Sequence, residues 1–202
     1  MYNIPMDDKT ILAYDNYAEK YDEETIDFWE RFPRTFFDKF ISLSSGKILD
    51  IGSGPGRDGK ILQSNGLEVI CVDASQSMVE LSAKRGLKSI VADFAELPFE
   101  DNHFDGVWAY TSLLHVPKKQ MNQSIIELKR VLKPNGIFGL GMIEGDTEEY
   151  RVTSKVIEPR WFSFYNRNEL ETLLKENGFD ILYFEQFKPN TKNYLNFIAR
   201  NS

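Results

Sequence analysis

Three glycines at alternate positions, Gly52, Gly54 and Gly56, follow a short apolar run that ends in an acid, Asp50. Without Cβ atoms they let the chain turn sharply and bring its backbone against a ligand. The polar stretch from Arg57 reads as a helix start, whose free N–H groups favour electron-rich ligand atoms. Asp50, Gly52, Ser53, Gly54 and Gly56 are therefore candidate binding residues. A second acid, Asp73, stands about 20 residues past the glycines, where a carboxylate reaches a ribose diol. Charge-assisted hydrogen bonds of that kind are worth about 1.5–3 kcal/mol each. The other reading of Asp73 is a helix cap, with Ala74 and Ser75 beside it. The spacing does not fit a dinucleotide fingerprint, because the sixth position counted from Gly52 is Arg57 rather than glycine. Metal chemistry has no support either: His103, His115 and Cys71 form no cluster with ligand spacing. Cys71, the only cysteine, reads as a small buried hydrophobe and leaves no intramolecular disulfide to form.

These residues need a frame, and the pattern from Lys47 onward supplies one. Strands are expected over 48–51, 67–72, 89–92, 106–110 and 137–143, and helices over 58–64, 77–85 and 121–133. Strands alternating with helices imply parallel βαβ units with right-handed crossovers. Ligands in such sheets sit outside the C-terminal strand ends, which is where the glycines, Asp73 and Asp93 fall. Residues 10–44 read as helical in two pieces, with Tyr14, Tyr17 and Tyr21 on one face and a phenylalanine stripe of core type around Pro33. Residues 144–160 read as a charged loop or short helix, in functional terms a lid, with an aromatic wall at 160–165. A helix over 168–177 and an antiparallel pair, 179–187 and 194–199, joined by 188–191, close the chain.

The run Asp50-x-Gly52-x-Gly54-x-Gly56 resembles the first motif of the class I methyltransferases that use S-adenosylmethionine. Asp93-x-x-x-Leu97-Pro98-Phe99-x-Asp101-x-x-Phe104-Asp105 resembles the ubiquinone/menaquinone-biosynthesis type within that class, as does Leu132-Lys133-Pro134-x-Gly136. The resemblance implies an α/β fold: a Rossmann-like, doubly wound, seven-stranded, mostly parallel sheet with an antiparallel C-terminal strand and an N-terminal helical cap. One methyltransferase domain over 1–202 would divide into the cap (1–44), the cofactor-binding core (45–143), and a lid with the completed sheet (144–202). The cofactor implied is S-adenosyl-L-methionine, with S-adenosyl-L-homocysteine as product. By the same resemblance, Asp73 with Ala74 meets the ribose, Asp93 takes the adenine amino group, and the Phe94 backbone meets a ring nitrogen. Met78 is either an apolar face for adenine or a core methionine. Tyr17 or Tyr21 contacts the methionyl end, and the carbonyls of Ala109 and Tyr110 hold its ammonium. His115 falls in an "LHHV"-like position, with Leu114 replacing the first histidine. It is either a base at the transferred methyl or a residue that positions the following helix.

Composition narrows the partners. At 202 residues the chain can bury a substantial core, and no apolar run approaches the roughly 18 residues that span a membrane. Met1 to Thr10 carries two acids and no apolar block, so it does not read as a secretory signal. Lys and Arg number 24 against 31 Asp and Glu, a net charge of −7, which disfavours nucleic acid as partner. The expectation is a soluble, cytoplasmic enzyme that transfers a methyl group in line to a small acceptor, partly apolar or cationic. Aromatic walls (Tyr17, Tyr21, Trp161 or Tyr165) would suit the sulfonium charge. Two alternatives stay open: a catalytically silent S-adenosylmethionine-binding regulatory module, and an NAD(P)-dependent oxidoreductase.

Overall fold

The computed structural model describes residues 7–189 and 191–202. Residues 1–6, and Asn190 of the expected 188–191 connection, lie outside the described residues. The chain opens with three helices, α1 (Asp8–Thr25), α2 (Phe28–Arg31) and α3 (Thr35–Leu43). The Asp7 carboxylate starts α1 by accepting from the Thr10 N–H at 2.9 Å. The two helical pieces expected are thus three, because extended Phe32 and the Pro33 after it end α2. Phe36, Phe37 and Phe40 of α3 are fully buried and pack on Trp108, with ring centroids 4.7–4.9 Å apart. That phenylalanine stripe is core.

The alternating segment follows as β1 (Lys47–Ile51), α4 (Arg57–Ser64), β2 (Glu68–Asp73), α5 (Gln76–Lys84), β3 (Lys88–Val91) and β4 (Phe104–Tyr110). A 3-10 turn (Leu113–His115) leads to α6 (Lys118–Val131) and β5 (Leu132–Ile143). A short antiparallel pair, β6 (Glu148–Arg151) and β7 (Arg160–Ser163), precedes α7 (Arg167–Glu176), β8 (Phe179–Phe187) and β9 (Tyr194–Asn201). The seven-stranded sheet has the order β3-β2-β1-β4-β5-β9-β8, and only β9 runs against its neighbours. The fold is the Rossmann-like, mostly parallel sheet expected, with its antiparallel strand penultimate in space.

Two local expectations are corrected. Residues 144–160 are not a loop or short helix throughout, since Glu148–Arg151 pairs with Arg160–Ser163 and Tyr150 meets Trp161 edge-on at 5.2 Å. The segment 133–136, between the helix expected over 121–133 and the strand expected over 137–143, is instead a bulge inside β5. The β4 register jumps there from Phe104↔Leu132 to Gly106↔Ile137, with Asn135 at φ 64°.

The chain leaves β1 for β2 and β3 on one side, then returns to β4 on the other. The crevice opens at the C-terminal ends of β1 and β4, where that reversal parts the connections. Gly59 lets α4 lie close on the sheet: a Cβ there would come within 2.6 Å of the Cys71 sulfur. The close-packing glycine absent at Arg57 is therefore supplied two residues later.

Candidate functional site

The glycine turn is tied to the end of β2. Ser53 N–H donates to the Val72 carbonyl at 3.0 Å, and Gly54 N–H to Asp73 Oδ2 at 2.8 Å. The other Asp73 oxygen accepts from Ser75 N–H at 2.9 Å. Ser75, not Asp73, caps α5 by accepting from Met78 N–H at 3.2 Å. Burial pushes Asp73 up to about 6, against the pull of the Ser75 and Gly54 N–H groups. Asp50 is buried and held well above the ordinary carboxylate range, first by burial and then by the charge of Asp58. A Cβ on Gly54 would stand in open cleft space, its nearest neighbour Tyr21 Cε1 at 4.0 Å.

Asp58 gathers a buried network beneath this turn. Its carboxylate accepts from Arg57 Nε at 2.6 Å, Trp29 Nε1 at 2.7 Å and Trp108 Nε1 at 2.9 Å. The Arg57 guanidinium lies over the Phe28 ring at 4.9 Å. Helix α1 crosses above. Asp15 accepts from Ser75 Oγ and Ser77 N–H at 2.6 and 3.0 Å, and Asp22 takes both its oxygens to Arg85 at 2.6 Å.

A directed chain of hydrogen bonds joins α1 to the turn after β4 and to β7. The Trp161 carbonyl can only accept, so His115 Nδ1–H donates to it at 2.6 Å and Nε2 accepts from Tyr14 O–H at 2.7 Å. Arg160 donates to the same Tyr14 oxygen at 2.7 Å. Burial drives His115 down to about 3, with the Arg160 charge adding to the effect and the Trp161 carbonyl opposing it. Tyr14 is raised above its ordinary value by burial. Four further contacts fasten α1 to the β6–β7 hairpin: Trp161 N–H to Thr10 Oγ1, Asn16 to Glu158, Lys20 to the Ser154 carbonyl, and Tyr150 O–H to Asp7.

Two cavities meet under this cap. The first, about 690 Å³ and open to solvent, is lined by Asp50, Gly52, Ser53, Gly54, Asp73, Ala74, Met78, Phe94, Tyr21, Tyr110 and His115 among others. The second, about 900 Å³, shares Tyr14, Tyr21, Tyr110 and His115 with it and extends to Phe28, Arg160, Phe162 and Tyr194. Of the candidates from sequence, Tyr17, Gly56, Asp93 and Ala109 line neither. Tyr17 sits where α1 departs from helical geometry (φ −119°, ψ 16°), and the i, i+7 pair Tyr14 and Tyr21 faces the cleft instead, rings 5.5 Å apart. The Gly56 Cβ position points at Ser82 and Leu87, and Ala109 is fully buried. Asp93, beside Phe94 in the chain, accepts from Ala95 N–H at 2.9 Å. Of the proposed aromatic wall, Trp161 turns its indole to Ser163 and Tyr165 lies against Lys118, leaving Phe162 as the lining ring.

Sequence reasoning missed Tyr14, Arg57, Asp58, Thr111 and Ser112 as wall residues. Tyr14 had a signal in its i, i+7 spacing from Tyr21. Thr111 had none: this β-branched residue stands at φ 54°, a conformation such residues rarely hold outside constrained sites. Ser112 Oγ beside it is buried with no hydrogen-bond partner among the described residues, which leaves a polar group for a ligand to satisfy. No helix among the described residues is long and apolar enough to cross a membrane.

A family model for a methyltransferase domain matches residues 49–140. The uncharacterized protein MJ1123 of Methanocaldococcus jannaschii is 33% identical over 180 residues, covering 83% of this chain and 80% of that protein. The demethylmenaquinone methyltransferase of Renibacterium salmoninarum is 30% identical over 137 residues, covering 64% of this chain and 56% of that protein. Burkholderia thailandensis 1,6-didemethyltoxoflavin-N1-methyltransferase, solved with 1,6-didemethyltoxoflavin and S-adenosylhomocysteine, matches with a TM-score of 0.69. That match covers 95% of this chain and 88% of the other at 20% identity, a likeness of fold.

Proposed function

The chain belongs to the class I S-adenosylmethionine-dependent methyltransferases, and from that premise we propose that it transfers the cofactor's methyl group in line to a small-molecule acceptor. The observation that carries this reading is the meeting of two cavities at one shared wall, Tyr14, Tyr21, Tyr110 and His115. Bound S-adenosylmethionine supplies an electrophilic sulfonium methyl, so the protein's task is alignment and exclusion of water. Alignment alone is worth about 7–11 kcal/mol of a barrier.

The residues present fit that cofactor. Gly54 leaves room for a ligand against its backbone, and Asp73 would take the ribose hydroxyls in a cleft also lined by Phe94 and Met78, which would offer apolar contact to adenine. Asp50, Tyr21 and the free Ser112 hydroxyl would line the methionyl end. His115 is kept neutral and its Nε2 is occupied by Tyr14, so it acts by fixing the Tyr14 hydroxyl at the shared wall rather than by taking the acceptor's proton. Tyr14, held protonated, shields that wall from solvent.

Calorimetric titration with S-adenosylhomocysteine and NAD in parallel tests the reading. The expected result is micromolar binding of the first alone, weakened at least tenfold by Asp73→Ala through loss of its charge-assisted bonds. Binding of NAD, or of neither, would overturn it. Transfer of a labelled methyl from the cofactor into the small-molecule fraction of a metabolite extract separates an enzyme from a silent binding module.

A further inference from the structure

The second cavity carries charge of the opposite sign to the chain as a whole. The protein has a net charge of −7, yet the cavity is lined by Arg57, Lys155, Arg160 and Lys192 and by no carboxylate among the described residues. Arg57 is neutralised by Asp58. The other three are not. Arg160 is only 3% exposed, and its two terminal nitrogens donate to neutral hydroxyls, Tyr14 and Thr153 at 2.7 Å each. Its Nε is buried with no partner, and among the described residues no carboxylate pairs with it. Lys155 donates only to the Glu24 backbone carbonyl at 3.3 Å, and Lys192 has no partner among the described residues. A buried cation without a counter-ion is costly, and half-buried Lys155 and exposed Lys192 add like charge beside Arg160. Burial and then like charge press both lysines below their ordinary values: Arg31, Lys192 and Arg57 act on Lys155, Arg160 and Arg151 on Lys192, with Glu24 opposing at Lys155. Aromatic surface completes the wall, from Phe28, Phe162 and Tyr194.

We infer that this cavity recognises the acceptor by a carboxylate-class anionic head group, held by Arg160, Lys155 and Lys192, on an aromatic or apolar body. This deepens the methyltransferase reading and rests on it for the word acceptor. It replaces the cationic molecule suggested by overall acidity, which would meet three uncompensated positive charges.

The test uses 3-phenylpropionate, 3-phenylpropanamide and 3-phenylpropylamine, which share a body and differ only in head-group charge. Each is titrated calorimetrically into the full-length protein with and without saturating S-adenosylhomocysteine. The acid is expected to bind at least tenfold more tightly than the amide, and the amine not measurably. The double variant Lys155→Gln/Lys192→Gln, at positions only partly covered by protein, is expected to lose about tenfold in affinity for the acid, with S-adenosylhomocysteine binding unchanged. Equal binding of amide or amine, no saturable binding of the acid at millimolar concentration, or an unaltered acid affinity in the double variant would overturn the inference. Acid-selective binding by a protein that fails to bind S-adenosylhomocysteine would keep the anion site and remove the methyltransferase reading. The reverse pattern would remove the anion site alone.

Discussion

Asp73 uses one carboxylate to hold the glycine turn and to face the cleft, and pH can separate the two. Its folded value is raised to about 6, mainly by burial, above an unfolded value near 3.9. Below the unfolded value the protonated form costs the fold nothing. As pH climbs from about 4 through about 6, the unfolded chain gives up its proton first and the stability contribution is lost. Ligand binding runs the other way, because ribose hydroxyls donate to the ionised form. The association constant for S-adenosylhomocysteine should rise about tenfold per pH unit up to about pH 6 and then level, and Asp73→Asn should flatten the profile. Calorimetry between about pH 4.5 and 8 measures it; a parent profile as flat as the variant's would remove Asp73 from the ribose. His115 adds no step to that range, since it stays neutral down to about pH 3.

At the level of elements, two of the three glycines in the turn between β1 and α4 have different duties. Gly54, at φ 54°, has only the cleft in front of it, whereas a Cβ on Gly56, at φ 82°, would meet Ser82 Oγ at 2.5 Å and Leu87 at 2.7 Å. Alanine at either pays left-handed strain of about 1–2 kcal/mol. Gly56→Ala adds overpacking of about 1–3 kcal/mol. Thermal unfolding should therefore show the larger loss for Gly56→Ala, while Gly54→Ala should lose more affinity for S-adenosylhomocysteine than its small stability change explains. The reverse ranking would mean that the turn does not touch the cofactor. This turn was legible because type and spacing carry its geometry, and so were β1, β2 and β4. Tyr14 was half legible: helical spacing paired it with Tyr21, but the break in α1 at Tyr17 chose which tyrosines face inward. Arg160, Lys155 and Lys192 were not legible. They come from the start of β7, the β6–β7 connection and the approach to β9, and only the folded chain brings them to one cavity.

For the whole molecule, the cap over the first cavity and the wall of the second are not independent bodies. Five side-chain links hold α1 to the β6–β7 hairpin, through Asp7, Thr10, Tyr14, Asn16 and Lys20. Local opening proceeds in cooperative units defined by such links. Amide hydrogen exchange should report residues 10–22 and 150–162 as one unit, with Thr10→Val speeding exchange in both. Different exchange rates in the parent protein would show two units. If they move together, neither spent cofactor nor methylated product has a door of its own. For the methyl transfer proposed above, each turnover would then end in a single opening that empties both sites, with the rate of that motion as the ceiling on throughput.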